Sequence, residues 1–475
     1  MYNINFLKIL DNFSYFIFLL LPLTFIIGTA AVNIAIFFSI ICLFSMSFVE
    51  KDWLWLKDKI LIFFSVFVIY LIVNNLVFNN ENISTEKLIK ILSYYRFIFF
   101  VFFISIFFKK LNEKRKIFFI KFNLLVILFV IIDIFIQLFF GKDVFGFPGG
   151  MCFGEYTHID FKNFTKEQVL SNLCQRYAGP FDQEFIAGTF IVFIGTLFFS
   201  LNFLSLSLYK RKRLLFIISI ILCFLTTLIT GDRNPFISLI ITLFLFFLIE
   251  RSFRKDFFKF FSVLFIIGLF TTLLNVHLYE RYVSAGRDLL SVPEKFDFFK
   301  DKNEKFESLQ ESNHLNNVEK NSYLSNFKKK FNNTQWGAHY LVSIEMFKKK
   351  PMTGYGYQSY RIECHKYDYI ESSMANVRCS SHPHNYIIQL FSETGFIGFI
   401  LYILFLMSIF YKLKDLKNNL NKPLAIFLGA LLFSFLFPFK PSGSIFSSMN
   451  NSFLFYLIGW VVYSFNLTDI RVLRK

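Results

Sequence analysis

Residues 13–49 read FSYFIFLLLPLTFIIGTAAVNIAIFFSIICLFSMSFV, with no charged side chain among them. A helix crossing a bilayer needs roughly 20 mostly apolar residues, so this stretch is long enough for two. Gly28-Thr29-Ala30 is small enough for a signal-peptide cleavage site, but the apolar run resumes at once and outlasts any signal core. The stretch therefore reads as two membrane helices joined by a tight turn. Comparable runs recur at 60–78, 94–108, 117–140, 185–208, 214–230, 236–250, 260–276, 386–410, 423–439 and 445–465. The expected fold is all-α: a polytopic helical bundle of about 12 transmembrane helices.

Composition points the same way. Hydrophobic residues make up 55% of the chain and charged ones 17%, against about 25% charged in soluble domains. The 73 Phe residues read as substitutes for Leu facing lipid. A net charge of +17 would suit nucleic acid. No DNA-binding motif or basic-aromatic groove accompanies it, and much of the charge falls in short clusters between apolar runs. These are Lys51, Lys57 and Lys59; Lys109, Lys110, Lys114, Arg115 and Lys116; Lys210 to Arg213; Arg251, Arg254, Lys255 and Lys259; and Lys412, Lys414, Lys417 and Lys422. Alternation through the helices puts all five on one side, which the positive-inside rule makes cytoplasmic. Both termini fall there as well.

Three regions follow. Residues 1–276 hold helices one to nine, with a smaller outer loop at about 141–184. Residues 277–385 form a large outer loop between helices nine and ten, and 386–475 hold the last three helices and the C-terminus. Cys152 and Cys174 lie in the first loop and Cys364 and Cys379 in the second, while Cys42 and Cys223 lie within helices. A periplasmic surface is oxidising. Four cysteines allow three pairings, and the local ones, Cys152–Cys174 and Cys364–Cys379, are preferred.

The chemistry-bearing residues gather at the outer side. Gly231-Asp232-Arg233-Asn234-Pro235 joins two helices there. An Arg at membrane depth is held by a cavity or a counter-ion, and its planar fork suits phosphate. The plainer reading is a turn in which Asp232 pairs with Arg233. Arg176 to Glu184 combines a cation with Asp182 and Glu184, which serve either as metal ligands or as caps of the next helix. Asp133 and Gln137 share a helix face, as a site or as structural hydrogen bonds. Pro351 to Arg361 is punctuated by Gly354 and Gly356 but lacks the ending of a nucleotide loop. The strongest element is Ser381-His382-Pro383-His384-Asn385, followed by Gln389, Glu393, Gly395 and Gly398. A His at that boundary titrates near neutrality and can accept a proton from an attacking hydroxyl. Two histidines one residue apart could bind metal, but a third ligand at a telling spacing is missing.

In this arrangement the chain resembles the O-antigen ligase and O-antigen polymerase superfamily of polytopic membrane glycosyltransferases. Arg176 to Gly188 is similar to its Arg-x-x-Gly-x-Phe segment. Thr230 to Pro235 resembles its Thr-Gly-Ser-Arg turn, Trp336 to Arg361 its Trp helix followed by Pro-x-x-Gly-x-Gly, and His384 to Gly398 its His-Asn ending. Two departures stand out. Asp232 replaces a Ser, and the second Arg expected shortly before the Trp is absent: Asn333, Thr334 and Gln335 occupy that place.

The resemblance implies a glycan donor on undecaprenyl pyrophosphate and an active site facing the periplasm at the bacterial inner membrane. Arg233 and His384 are the implied catalytic pair. Arg176, Glu184, Arg281, Arg287, His339, Gly354, Gly356, Asn385 and Glu393 are the implied substrate-binding residues, with Arg281 or Arg287 as the second phosphate clamp. The expected partners are the lipid-linked donor, a lipid A–core or glycan acceptor, and membrane lipids, with no nucleic acid and no cofactor. No Asp-x-Asp pair occurs, so a metal-independent reaction is expected. A ligase acting on lipid A–core is favoured over a polymerase joining lipid-linked repeats. A lipid or glycan transporter would call for internal repeats and charges near the midplane, and neither is evident.

Overall fold

The computed structural model describes residues 4–79, 85–147, 176–182, 186–204, 210–274, 278, 282, 331–367, 372, 374–411 and 422–465. The fold is all-α, without strands among the described residues. The helices are α1 (Ile4–Ile27), α2 (Thr29–Glu50), α3 (Lys59–Val73, ending in a π turn Asn74–Phe78), α4 (Thr85–Leu92), α5 (Tyr95–Lys110) and α6 (Glu113–Phe140). They continue as α7 (Ala187–Leu204), α8 (Lys210–Ile229), α9 (Arg233–Ile249), α10 (Phe257–Leu274), α11 (Gln335–Lys349), α12 (Tyr386–Phe410), α13 (Lys422–Phe435) and α14 (Ser448–Phe465). Each apolar run of the sequence coincides with one of these. Among the described residues eight helices are long and apolar enough to cross a membrane, α4 and α5 acting as one. α9, α10 and α13 are shorter apolar helices.

The first two helices break where small residues allow it. α1 ends at Ile27, and Gly28 takes φ 121°, open to glycine but not to side-chain-bearing residues. α14 is polar at its start, yet every residue from Asn451 to Phe465 is buried. It is sheathed by other helices, chiefly α5 and α13, so it does not need a lipid-facing stripe. Trp460 at its centre packs on Phe108 (4.8 Å) and Phe119 (5.9 Å). Phenylalanine is therefore not only a lipid-facing residue. Phe18, Phe25, Phe64 and Phe67 are wholly enclosed, while Phe16, Phe37 and Phe139 are exposed. Ring edges and faces interlock in the core, for instance Phe18 on Phe119 at 4.4 Å.

Ion pairs join helix ends on one side of the bundle: Lys110 with Glu50, Arg115 with Asp11, and Arg213 with Asp256. Among the described residues, the basic residues around Glu50, Lys110, Arg115, Arg213 and Asp256 therefore lie at that end. At the other end α6 closes, α8 turns into α9, α12 begins and α13 passes to α14. The described part of the large loop packs there, with α11 lying on α12.

Candidate active site

α6 supplies the first bracket. Asp133 Oδ1 accepts a hydrogen bond from the Val144 amide (2.8 Å), and Gln137 Oε1 accepts one from the Gly179 amide (2.9 Å). Gly179 has φ 55°, and a Cβ there would stand 2.8 Å from Ile134 Cγ1. Gln137 thus pins the segment that carries Arg176, and Asp133 pins the turn that follows α6. Asp182 closes the turn with φ 52° and does not cap α7, whose N-cap is Ile186.

Arg176 meets Asp232 (Nη1–Oδ1 3.8 Å), and Asp232 Oδ2 also accepts from the Gly188 amide (3.0 Å). Asp232 is 7% exposed. It joins the Arg176 loop, the start of α7 and the α8–α9 turn. Asp232 is the N-cap of α9 and Arg233 its first residue, so their side chains diverge. Arg233 is exposed, and among the described residues it makes no hydrogen bond or ion pair. A groove of about 340 Å³ runs beside this turn between α8, α9 and α10, lined by Leu228, Phe236, Ile240, Phe261, Phe265 and Gly268 among others.

Imidazoles build the second part. His384 lies 4.1 Å (ring centroids) from His382, 5.2 Å from His339 and 4.8 Å, edge-on, from Trp336. His339, buried on α11, directs Nδ1 to the Arg378 carbonyl (2.9 Å). A carbonyl cannot donate, so Nδ1 carries the proton and Nε2 keeps a lone pair. That Nε2 and His382 Nε2 are buried without a hydrogen-bond partner. Tyr360 donates to the same Arg378 carbonyl (2.7 Å). The adjoining Cys379 is disulfide-bonded to Cys364, with Cα atoms 5.3 Å apart.

Burial and the neighbouring imidazoles push His384 down to about 3. Burial, with His339 and Arg361, pushes His382 down to about 4. Burial also lowers His339. The expectation of titration near neutrality therefore fails: three crowded, desolvated rings disfavour one another's charged forms. His384 has φ 57°, sparsely populated by side-chain-bearing residues. It is clamped by Ser442, whose amide donates to its carbonyl (2.7 Å) and whose hydroxyl accepts from the Tyr386 amide (2.9 Å).

Asn385 caps α12 by accepting from the Ile388 amide (3.1 Å), and donates through Nδ2 to the carbonyls of Pro438 (2.7 Å) and Lys440 (3.3 Å). Gly354, Gly356 and Glu393 lie in a seam below. The Gly356 amide donates to the Glu393 carbonyl (2.7 Å), and the Phe396 amide to the Pro351 carbonyl (2.8 Å). Glu393 accepts from the Tyr360 amide (2.9 Å) and Gln389 (3.0 Å). α12 breaks at Gly395 (φ 64°) to admit the loop.

The structure thus assembles His339, His384 and Asn385, sets Arg176 against Asp232, and places Gly354, Gly356 and Glu393 in a backbone seam. It ties α9 to the His384 junction through Ser238, Lys440 and Asn385. Glu184, Arg281, Arg287, Cys152 and Cys174 lie outside the described residues. Sequence reasoning passed over His382 as a ring partner of His384, and over Lys440. In the sequence His382 is no more than a near neighbour of His384, and Lys440 resembles an ordinary loop cation. Among the described residues one group of metal-type ligands comes together, Cys364, His365 and Cys379. Its two sulfurs are bonded to each other.

The fold and this site define a polytopic membrane protein with an arginine turn and a histidine cluster at one end of the bundle. Residues 218–403 match the family described as O-Antigen ligase. That match spans the Arg233 turn, the Trp336 helix and the His384 junction, and it supports the O-antigen ligase and polymerase superfamily, membrane glycosyltransferase-like enzymes acting on lipid-linked glycans. No curated protein matches the chain.

Proposed function

We propose that the chain is an O-antigen ligase-like glycosyltransferase. It moves a glycan from undecaprenyl pyrophosphate to a lipid A–core acceptor at the periplasmic face of the inner membrane, without a metal ion. The observation that carries this reading is the exposed Arg233, which among the described residues has no protein partner, three residues before Phe236 in the lining of an apolar groove. The isoprene units nearest the headgroup lie in the groove, and the diphosphate meets the guanidinium. The basic clusters at the opposite end favour a cytoplasmic orientation for that end, which turns the site to the periplasm.

In the reaction an acceptor hydroxyl attacks the anomeric carbon. The new C–O bond forms as the bond to the diphosphate oxygen breaks, and that oxygen keeps the electron pair. Arg233 stabilises the charge gathering on the leaving group. His384 takes the hydroxyl proton. Its neutral state leaves the ring lone pair free, and the nearby diphosphate charge favours the protonated ring once the proton arrives. Arg176 serves the sugar side. His339 Nε2 offers a lone pair to a sugar hydroxyl.

Gel analysis of lipopolysaccharide from a strain lacking this chain tests the proposal. Free lipid-linked polymer together with bare core is the expected result. Core bearing a single repeat would make the chain a polymerase, and unchanged lipopolysaccharide would refute both activities.

A further inference from the structure

α11 and the chain that follows it pack around a small core of their own. Ala338, Val342, Met346, Tyr360, Cys364 and Tyr367 are buried in it, with Leu341, Tyr355, Ala375 and Cys379 at its edge. So small a core is hard to hold by apolar burial alone, and a covalent bridge commonly supplies the rest. The Cys364–Cys379 disulfide lies in it and closes a loop with a sequence separation of 15. A second tie runs beside the bridge. The Arg378 guanidinium donates to three carbonyls, through Nη1 to Ala375 (2.9 Å), Nε to Cys364 (3.3 Å) and Nη2 to His365 (3.3 Å).

Both ties converge on one backbone group. The Arg378 carbonyl, one residue before the bridged Cys379, accepts from His339 Nδ1 (2.9 Å) and from the Tyr360 hydroxyl (2.7 Å). A carbonyl oxygen has two lone pairs, so both are used. His339 lies between Ala338 and Val342 on α11, and its ring is 5.2 Å from that of His384. With the proton kept on Nδ1, Nε2 offers a lone pair, and it is buried without a hydrogen-bond partner. The other tautomer would carry a hydrogen on Nε2 and could not accept there. Cys364 is buried and Cys379 half-buried, so thiol exchange reaches the bridge from the Cys379 side. A ring nitrogen of the exposed His365 lies within 4.8 Å of both sulfurs.

We propose that Arg378 is a positioning residue for glycan transfer, held in place by the Cys364–Cys379 bridge, so that the imidazole cluster is set for the acceptor only in the oxidised chain. The inference rests on the transferase reading above. The Arg378 carbonyl fixes the His339 tautomer, and Nε2 then accepts from an acceptor-sugar hydroxyl beside the one that His384 deprotonates. Closing the bridge takes two electrons and two protons from the two thiols. A disulfide of the oxidising periplasm accepts them by thiol exchange and leaves as two thiols. A dithiol reverses the step. The Arg378 carbonyl is then held by the guanidinium contacts without the bridge, His339 is free to take either tautomer, and the sugar hydroxyl loses its partner. Arg233 lies on α9, outside this core, so donor binding does not follow the bridge.

The test uses the purified full chain in detergent, oxidised or reduced with dithiothreitol. NMR of isotopically labelled histidine reads which ring nitrogen carries the proton, and the His339 signals are assigned by their loss in His339→Asn. Transfer from lipid-linked glycan to lipid A–core is measured beside donor binding. The oxidised wild type should show His339 protonated on Nδ1. Reduction should mix the tautomers and slow transfer about tenfold, the worth of one well-placed hydrogen bond, with donor binding unchanged, and reoxidation should restore both. Cys364→Ala with Cys379→Ala should behave as the reduced wild type. In His339→Asn transfer is already slow, and reduction should slow it no further. Arg378→Met keeps the bridge and should slow transfer with donor binding unchanged, which leaves the idea testable if the reduced chain unfolds. Undiminished transfer with an unaltered tautomer after reduction would overturn the positioning role. An equal further fall on reducing His339→Asn would overturn it too, by making the bridge a structural staple alone. An oxidised wild type that transfers no glycan would remove the transferase reading, and the tautomer measurement would still decide whether the bridge governs the ring.

Discussion

Gly354→Ala is expected to loosen the seam on which the histidine junction rests. Gly354 has φ 65°, and a Cβ there would lie 2.5 Å from the Glu393 carbonyl carbon and 2.6 Å from both the Glu393 oxygen and the Gly395 nitrogen. All three are backbone atoms, so no side chain can rotate away. Gly395 faces it with φ 64°, its own Cβ position 2.4 Å from the Met352 carbonyl. Left-handed backbone costs a non-glycine residue about 1–2 kcal/mol, and forcing an extra carbon into close packing about 1–3 kcal/mol. The sum is about 2–5 kcal/mol. It would be spread over the hydrogen bonds that cross the seam at Tyr355, Gly356, Phe396 and Ile397. Gly429→Ala in α13 is the control, since a Cβ there meets only Phe465 Cζ at 3.8 Å and alanine is the better helix former. Thermal unfolding of both variants in detergent should show Gly354→Ala clearly destabilised and Gly429→Ala unchanged or more stable. Equal stability would refute the close-packing argument.

The imidazole cluster should make the protein acid-sensitive. An unfolded histidine takes up its proton near pH 6.5, whereas folded His382 and His384 do so only at about 4 and about 3. Stability is complete above the unfolded value and is lost as pH falls below it toward the folded values. At pH 5 the loss is about 2 kcal/mol for each ring. Melting temperatures at pH 7.5 and 5 should diverge more in the wild type than in a His382→Gln, His384→Gln variant, and equal divergence would contradict the assignment. Asp232→Asn removes the charge that meets Arg176 and weakens the contact with the Gly188 amide, and should cost about 1–2 kcal/mol. The same melting assay checks this, and an unshifted transition would show that the Asp232 bracket is dispensable.

The helices were legible because a bilayer leaves the chain little choice: unbroken apolar runs, with basic residues at one end, are what a spanning helix requires. α14 was found from its apolar stretch, but its enclosure was not, since a helix sheathed by protein and one facing lipid differ only in their neighbours. Arg233 and His384 could be picked out as a polar turn and a helix junction. Their surroundings depended on tertiary contacts. Asp232 resembles, in sequence, the partner of Arg233. Successive residues at a helix start point in different directions, however, and the carboxylate goes to Arg176 and Gly188. His339 reaches His384 only because α11 folds onto α12, and the resulting crowding moves the rings away from their ordinary titration range. Lys440 carried no local mark, since its burial follows from the way α7, α9 and α13 converge around one loop.

The central claim is that Arg233 binds the donor and His384 activates the acceptor in one site. The most direct measurement is a transfer assay with purified chain and lipid-linked glycan, run beside donor binding, on Arg233→Ala and His384→Ala. Arg233→Ala should lose donor binding together with turnover. His384→Ala should bind the donor as the wild type does and transfer almost nothing. Full transfer by His384→Ala, or unaltered donor binding by Arg233→Ala, would contradict the account.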